Sequence, residues 1–406
     1  MEVLYPRCSG LDVHKDLVVA CVRLAVGEKV DREVRRFGTT TEELLKLLDW
    51  LQEASVTHVA MESTGVYWKP VWHVLEGEFE LVLGNAKDMS NVPGRKTDQN
   101  DASWIADLQA HGLIRNSYIP PEPVQELRDL TRTRKQLVRE RAQHVQRIQK
   151  VLEDANVKLS SVLTDVMGLS GRRILQAIVG GEEDPMVLAR LAHPQVKAGQ
   201  EKLAEALQGR VRDHHRYMIQ LHLNQIGSLE SAIASLEARL DSALAPFREQ
   251  VERLCTIPGV SETVASVIMA ECGDMSAFPT ADHLVAWAGL APQQHESAGK
   301  RKNVRTKRQR WLKTALVQAA HAAVKKRDSY LRSKYYRIRA RRGAKKAIVA
   351  IAATILRTAY HMLERGVDYA DLGPDYYDCF DRSRAALRLV RRLKGLGYEV
   401  DLKAAA

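Results

Sequence analysis

The chain has 406 residues, 61 Lys/Arg against 50 Asp/Glu, a net charge of +11 and an apolar share of 45%. That length exceeds what one hydrophobic core usually serves, so two or three domains are expected, and the absence of any run of about 18 apolar residues argues against a membrane span. The start MEVLYPRCSG lacks an export pattern, and five scattered cysteines without a CxxC read as free thiols in a reducing, cytoplasmic setting rather than as disulfides or a zinc site.

Residues 8–37 alternate as three strands, CSGLDVHKD, LVVACVRLAV and KVDREVRRFG, spaced tightly enough for an antiparallel meander. TTTEELLKLLDWLQEA follows as an amphipathic helix with a Thr/Glu capping start. THVAMEST reads as a short strand ending in an acid, GVYWKPVWHVLEG as a helix, FELVLGN as a strand and TDQNDASWIADLQAHGL as a helix. Strands followed by alternating helix and strand indicate an α/β domain over residues 1–118.

PPEP at 120–123 breaks the chain. Beyond it Leu127, Leu130, Leu137, Val145, Ile148 and Leu152 keep helical spacing, as do Leu223, Ile226, Leu229, Ile233, Leu236, Leu240 and Leu244. Two long helices with a helical insert over 160–212 predict a coiled-coil arm across 119–252, of a kind that often makes dimers. Two core helices of a bundle share the same spacing, but the charged outer faces favour the arm. CTIPGVSETVASVIMAEC, at 255–272, reads as a helix end, a Pro-Gly turn and a new helix. This resembles a helix-hairpin-helix element, whose turn offers backbone N–H groups to phosphate; such turns also serve packing alone. A helical domain is expected over 253–365, then a basic extension over 366–406 whose DLKAAA end should fray.

Charge is unevenly spread. Residues 1–115 hold 13 Lys/Arg against 18 Asp/Glu, whereas residues 300–346 hold 19 Lys/Arg and the single acid Asp328. Cations at that density suit a nucleic-acid partner, and the interleaved Trp311, Leu312, Leu316, Tyr330, Tyr335 and Tyr336 indicate a folded segment rather than a solvated tail.

Within the α/β domain, Asp12 sits inside an apolar strand, where a carboxylate is costly unless it is paired or binds a cation. Glu62 ends a later strand, the position that faces the ligand crevice of an open sheet. Asp98 and Asp101, in GRKTDQND, fall three apart at a helix start. Helix capping explains that pair taken alone. Read with Asp12 and Glu62, the four acids form an all-oxygen set that favours a hard cation such as Mg²⁺ and suits phosphoryl transfer. His14 reads as a surface residue or a substrate contact.

The segments GLDVHKD, MESTGVYW and VPGRKTDQNDASWIADL resemble the three blocks of the DEDD insertion-sequence transposases. These are bridge-RNA-guided serine recombinases whose N-terminal domain is similar to the Holliday-junction resolvase of ribonuclease H fold. TDVMGLSGRRILQAIVGGEEDP resembles the middle of a longer branch of that family, and TIPGVSETVASVIMAE, LVAWAGLAP, ESAGK and WLKTAL resemble its C-terminal transposase domain. The resemblance covers nearly all of residues 5–365. It implies that Asp12, Glu62, Asp98 and Asp101 hold Mg²⁺ and that Ser297, in HESAGK, attacks the DNA phosphate. Lys300, Arg301, Lys302, Arg305, Lys307, Arg308 and Arg310 would then hold nucleic acid. Ser261 is the lesser candidate and reads better as a helix N-cap. This chain has Ser-Ala-Gly where the family often has Ser-Gly-Gly, and lacks the glycine often found before the helix at 310. The implied partners are donor and target DNA, a structured guide RNA and further copies of the chain in a dimer or tetramer, with no membrane. The rivals are a Mg²⁺-dependent junction nuclease using water and a non-catalytic nucleic-acid binder.

Overall fold

The computed structural model describes residues 2–27, 29–63, 65–86, 89, 101–292, 296–297, 300–301, 310–380 and 382–402. Its contacts divide the chain into two compact units, Met1–Ile119 and Pro120–Ala406.

The first unit holds the strands β1 (Arg7–Val13), β2 (Val18–Val26), β3 (Lys29–Phe37), β4 (His58–Glu62) and β5 (Glu80–Gly84), with helices α1 (Thr41–Glu53), α2 (Trp68–Leu75) and α3 (Asp101–Ala110). The expected meander forms, and the sheet order is β3-β2-β1-β4-β5. β1 pairs antiparallel with β2, and β2 with β3; β1 pairs parallel with β4, and β4 with β5. Both faces are covered. Leu11, Val13, Val59 and Met61 pack with Leu44, Leu47, Leu51 and Leu75 on one side. On the other side α3 brings Ala102 and Ala106 against Val19 and Cys21, and Ile105 and Leu108 against Ala60. The α1 start differs in detail from the expected capping: Thr40 makes no side-chain cap bond, and Glu43 instead accepts the Gly38 N–H at 3.3 Å.

Gly10 decides how closely α3 approaches. A Cβ there would lie 2.3 Å from both the Ala102 carbonyl oxygen and the Ala106 nitrogen. The chain direction follows from three contacts. Leu4 and Tyr5 donate their N–H groups to the Ala110 carbonyl, Cys8 Sγ donates to the Ala106 carbonyl, and Gly10 meets Ala102. Residue numbers fall along α3 as they rise along β1, so the two run antiparallel and Asp101 lies toward the strand end that carries Asp12.

In the second unit α4 (Glu122–Asp154) and α9 (Asp213–Leu244) enclose the insert helices α5 (Leu159–Val162), α6 (Leu169–Val179), α7 (Pro185–Arg190) and α8 (Gln200–Leu207). The two long helices pack antiparallel through Arg134–Glu237, Arg141–Glu230 and His215–Asp154 pairs. The insert builds its own core from Leu159, Ile174, Leu175 and Leu203 against Ile148, Leu152, Ile219 and Ile226.

The remainder comprises α10 (Arg248–Cys255), α11 (Glu262–Cys272), α12 (Ala281–Trp287), a hairpin of β6 (Glu296–Ser297) and β7 (Lys300–Arg301), and helices α13 (Arg310–Ala323), α14 (Tyr330–Arg342), α15 (Ala344–Arg365), α16 (Tyr376–Phe380) and α17 (Arg382–Gly395). α15 is long and apolar enough to cross a membrane by length and composition, but 61% of its most apolar stretch is buried within the protein. It is the core helix around which α12, α13 and α14 pack. Glu271, fully buried at the end of α11, takes a two-pronged bond from Arg132 of α4, 2.8 Å on each oxygen. Arg128 donates to the Ala270 and Glu271 carbonyls, so the root of α4 is fixed to α11 by charge as well as by packing.

Two outcomes test this arrangement. Gly10→Ala should destabilise the chain by about 1–3 kcal/mol in chemical denaturation, because helix and strand must separate to admit the methyl group. The second concerns His222, which is buried against His144 with their Nδ1 atoms 3.2 Å apart. Burial first, then the charges of His144 and Arg147, hold His222 below the usual histidine range. Its neutral form is the folded form, so its contribution is complete above about pH 6.5 and is lost as pH falls from there through the lowered folded value. Between pH 7 and 5 the thermal midpoint should fall further for the native chain than for His222→Gln.

Candidate metal centre and serine hairpin

Asp12 and Glu62 come together through strand register. Leu11 of β1 lies opposite Met61 of β4, and Asp12 and Glu62 are the residues that follow this pair on the two parallel strands, which as neighbours in a sheet run about 4.8 Å apart. Leu11 and Met61 point into the α1–α2 core. Strand alternation therefore turns Asp12 and Glu62 to the face covered by α3. Val19, the cross-strand neighbour of Asp12, packs against Ala102, which sets Asp101 at the same end of the sheet.

Asp12 is partly buried and hydrogen-bonded to His14, with Nε2 and Oδ2 3.1 Å apart; His14 is exposed. Glu62 is partly buried and Asp101 exposed. The sequence placed Asp12 inside its strand and Glu62 at the end of its own, and both positions hold. Asp98 lies outside the described residues. Among the described residues no group of three or more His, Cys, Asp or Glu is gathered as a metal-binding cluster. The donors Asp12, Glu62 and Asp101 are all oxygen, which fits a hard divalent cation in kind.

What fixes α3 over this face was not singled out in the sequence. Arg23, on β2 and 4% exposed, donates from Nε to Asp107 of α3 at 2.9 Å, and Arg32 of β3 donates to the same oxygen at 2.8 Å. The signal was there to read: an arginine inside the apolar run VVACVRLAV requires a carboxylate. Around that pair, Val19, Cys21, Ala102 and Ala106 pack against one another. Burial pushes the Cys8 thiol up to about 12 and also raises that of Cys21, which accepts a bond from Ser103 at 3.4 Å. Both thiols stay protonated and serve as packing groups.

In the second unit Ser297 lies in a hairpin rather than an irregular loop. Its backbone pairs with Lys300, and Glu296 pairs with Arg301. The hairpin sets a serine directly across from a lysine within a basic segment. Lys302, Arg305, Lys307 and Arg308 lie outside the described residues, and Arg310 is the first residue of α13. Ser261 holds the N-cap position of α11 but makes no side-chain cap bond. The Pro-Gly turn before it is used for packing: Gly259 has φ 84° and lies against the Ala319 carbonyl and Ala323 of α13, while Val260 donates its N–H to Ile257.

Residues 9–157 match the family model of IS110-type DEDD proteins, described as a transposase, and residues 251–337 match the model described as the IS116/IS110/IS902 transposase family. The chain carries IS110-family DEDD transposase domains. The first matched region contains all four acids, and the second contains Ser261, Ser297 and the basic residues from Lys300 to Arg310. The chain is 25% identical over 330 residues to a probable family 20 transposase of Pseudomonas aeruginosa, covering 79% of this chain and 88% of that one. It is 26% identical over 283 residues to the transposase of insertion sequence element IS1111A of Coxiella burnetii, covering 68% and 69%. A pilin gene-inverting protein of Moraxella bovis is 36% identical over 70 residues, 16% of this chain and 22% of its own.

Asp107→Ala leaves Arg23 buried without its carboxylate. It should cost about 3–5 kcal/mol in denaturant unfolding, whereas Arg32→Ala, at the exposed edge, should cost under about 1 kcal/mol.

Proposed function

We propose that the transposase domains act as a serine recombinase: Ser297 cuts and rejoins DNA strands, assisted by Mg²⁺ held by Asp12, Glu62, Asp98 and Asp101, with a structured guide RNA choosing the sites. The reading rests above all on Asp12 and Glu62 standing in register on adjacent parallel strands, with Asp101 heading the helix that covers them. Helix capping alone does not call for Asp12 and Glu62 on adjacent strands at the sheet end toward which the start of α3 lies.

The chemistry conserves bonds. Ser297 Oγ attacks a backbone phosphorus, one deoxyribose oxygen leaves as a hydroxyl, and the serine proton passes to that departing oxygen or to solvent. A free hydroxyl of the second strand then attacks the serine phosphodiester, breaks the Oγ–P bond and restores Ser297. A serine hydroxyl is a weak nucleophile without activation. Bound Mg²⁺ supplies neutralisation of phosphate charge and lowers the cost of forming an alkoxide. Asp12, Glu62, Asp98 and Asp101 bind and orient at the acidic centre. Lys300 and Arg301, across the hairpin from Ser297, hold the scissile phosphate together with Lys302, Arg305, Lys307, Arg308 and Arg310.

In this reading residues 1–118 form the metal domain, 119–252 a coiled-coil arm that joins copies in a dimer or tetramer, 253–365 the serine domain and 366–406 an extension. The acid-rich first domain needs cationic help beside a polyanion, and the basic segment of the serine domain can supply it.

Ser297→Ala should abolish a detergent-stable protein–DNA adduct and strand exchange while leaving DNA binding intact. Cutting retained in that variant would assign the reaction to water instead. Asp12→Asn should slow adduct formation on the order of 10²–10³-fold, in line with removal of one electrostatic stabiliser. Unchanged processing of DNA in Mg²⁺ by that variant would make the acids structural. RNA copurified with the protein and sequenced should yield one structured species; only random fragments would remove the guide from the proposal.

A further inference from the structure

α14 is a helix without an amphipathic pattern. Its thirteen residues, YLRSKYYRIRARR, carry six cations and no acid, and Leu331 is its one fully buried side chain. At ~3.6 residues per turn five of the six cations fall into two rows, and Arg342 lies on the side of Leu331. Lys334, Arg337 and Arg341 continue a stripe from Tyr330; Arg332 and Arg339 form a second stripe roughly half a turn away. Leu331 and the partly buried Ile338 make the seam against α15. Between the two rows, on the side away from that seam, lie Ser333, Tyr336 and Ala340. Tyr336 and Ala340 are exposed.

Aromatic rings brace the rows. Tyr330 stacks on Tyr377 of α16 at 5.7 Å between ring centres, Lys334 Nζ donates to the Tyr330 hydroxyl at 3.2 Å, and the Arg337 guanidinium lies 4.5 Å over the Tyr377 ring. On the second row Arg332 lies 5.5 Å from the Tyr336 ring centre and Arg339 5.9 Å. Among the described residues no carboxylate forms an ion pair with any of the six cations. Side chains held this way keep their charge and lose little freedom on meeting an anion.

We propose that α14 lies in the major groove of B-form DNA, its two cationic rows reaching the phosphates of the two strands and Ser333, Tyr336 and Ala340 facing the base edges. The dimensions agree: a major groove about 12 Å wide admits a helix about 10–12 Å across, and thirteen residues span about 20 Å. One row alone would suit any polyanion. Two rows flanking a face of small and aromatic residues suit two backbones with a groove between them. A-form duplexes do not offer this fit, because their major groove is too narrow and deep for a helix. This surface is separate from the serine hairpin and concerns duplex capture rather than strand cutting.

The test uses the full-length protein without Mg²⁺, so it fails or succeeds independently of the reaction at Ser297. Binding to a random-sequence 25-base-pair DNA duplex, to one of its strands alone and to an RNA duplex of equal length (about 25 pairs, some two helical turns in either form) is followed against salt. For duplex DNA, Arg332→Gln with Arg339→Gln should make the slope of log affinity against log salt shallower by about 1.8. Lys334→Gln with Arg337→Gln and Arg341→Gln should do so by about 2.7, at ~0.9 for each phosphate no longer neutralised. Single-stranded DNA and duplex RNA should change far less. An unaltered slope for either row, or equal losses on all three nucleic acids, would overturn the proposal. If the multiple variants fail to fold, Ala340→Glu decides. It is an exposed, helix-compatible change that sets a carboxylate between the rows, and it should weaken duplex DNA binding at least several-fold; unchanged binding would also overturn the proposal.

Discussion

The contact of α3 with β1 at Gly10 is the constraint on which the acidic centre depends. Backbone meets backbone there at a distance no side chain would allow, and this places the start of α3 over the carboxyl ends of β1 and β4. Asp101 then shares a sheet end with Asp12 and Glu62. The close approach has an electrostatic cost, since it buries Arg23, and Asp107 offsets that cost from the helix side. One helix therefore carries both the group that locks it down and an acid of the candidate site. The lock and the candidate ligand lie six residues apart on α3, so a change at Asp107 should be felt at Asp101 through helix position alone.

The second unit solves a comparable problem. A long helix attached to a globular body acts as a lever, and its root needs more than apolar contact. Arg128 and Arg132 supply that anchorage by gripping both the carboxylate of Glu271 and the last carbonyls of α11. A guanidinium at a helix C-terminus also meets the negative end of the helix dipole, so the bond is favoured twice. Among the described residues of the same unit, the cations of α14 form no ion pair with a carboxylate.

Much of this is legible in the order of the amino acids alone. The three-strand meander, the strand ending at Glu62, Asp12 inside β1 and the helical spacing of α4 and α9 follow from periodicity, which local sterics enforce. Other features are not legible there. Ser297 sits in a run of Gly, Lys, Arg and Gln that reads as loop, yet its backbone pairs in a hairpin, because two-residue pairings leave no periodicity to detect. The Pro-Gly turn at 258–259 reads equally well as a phosphate cradle, and only the position of Ala319 and Ala323 shows that it serves packing. Arg23 and Glu271 are charged residues in apolar runs, a visible signal of burial, but their partners Asp107 and Arg132 are distant in sequence.

The sequence by itself determined the types of element, the uneven charge and the four acids with their order, because each depends on residues within a turn or two of one another. Tertiary structure decided which acids share a sheet end, which arginines are neutralised and which turn is buried. Those outcomes are set by strand register and by how near one backbone comes to another, and such distances belong to pairs of segments that the chain separates by tens of residues.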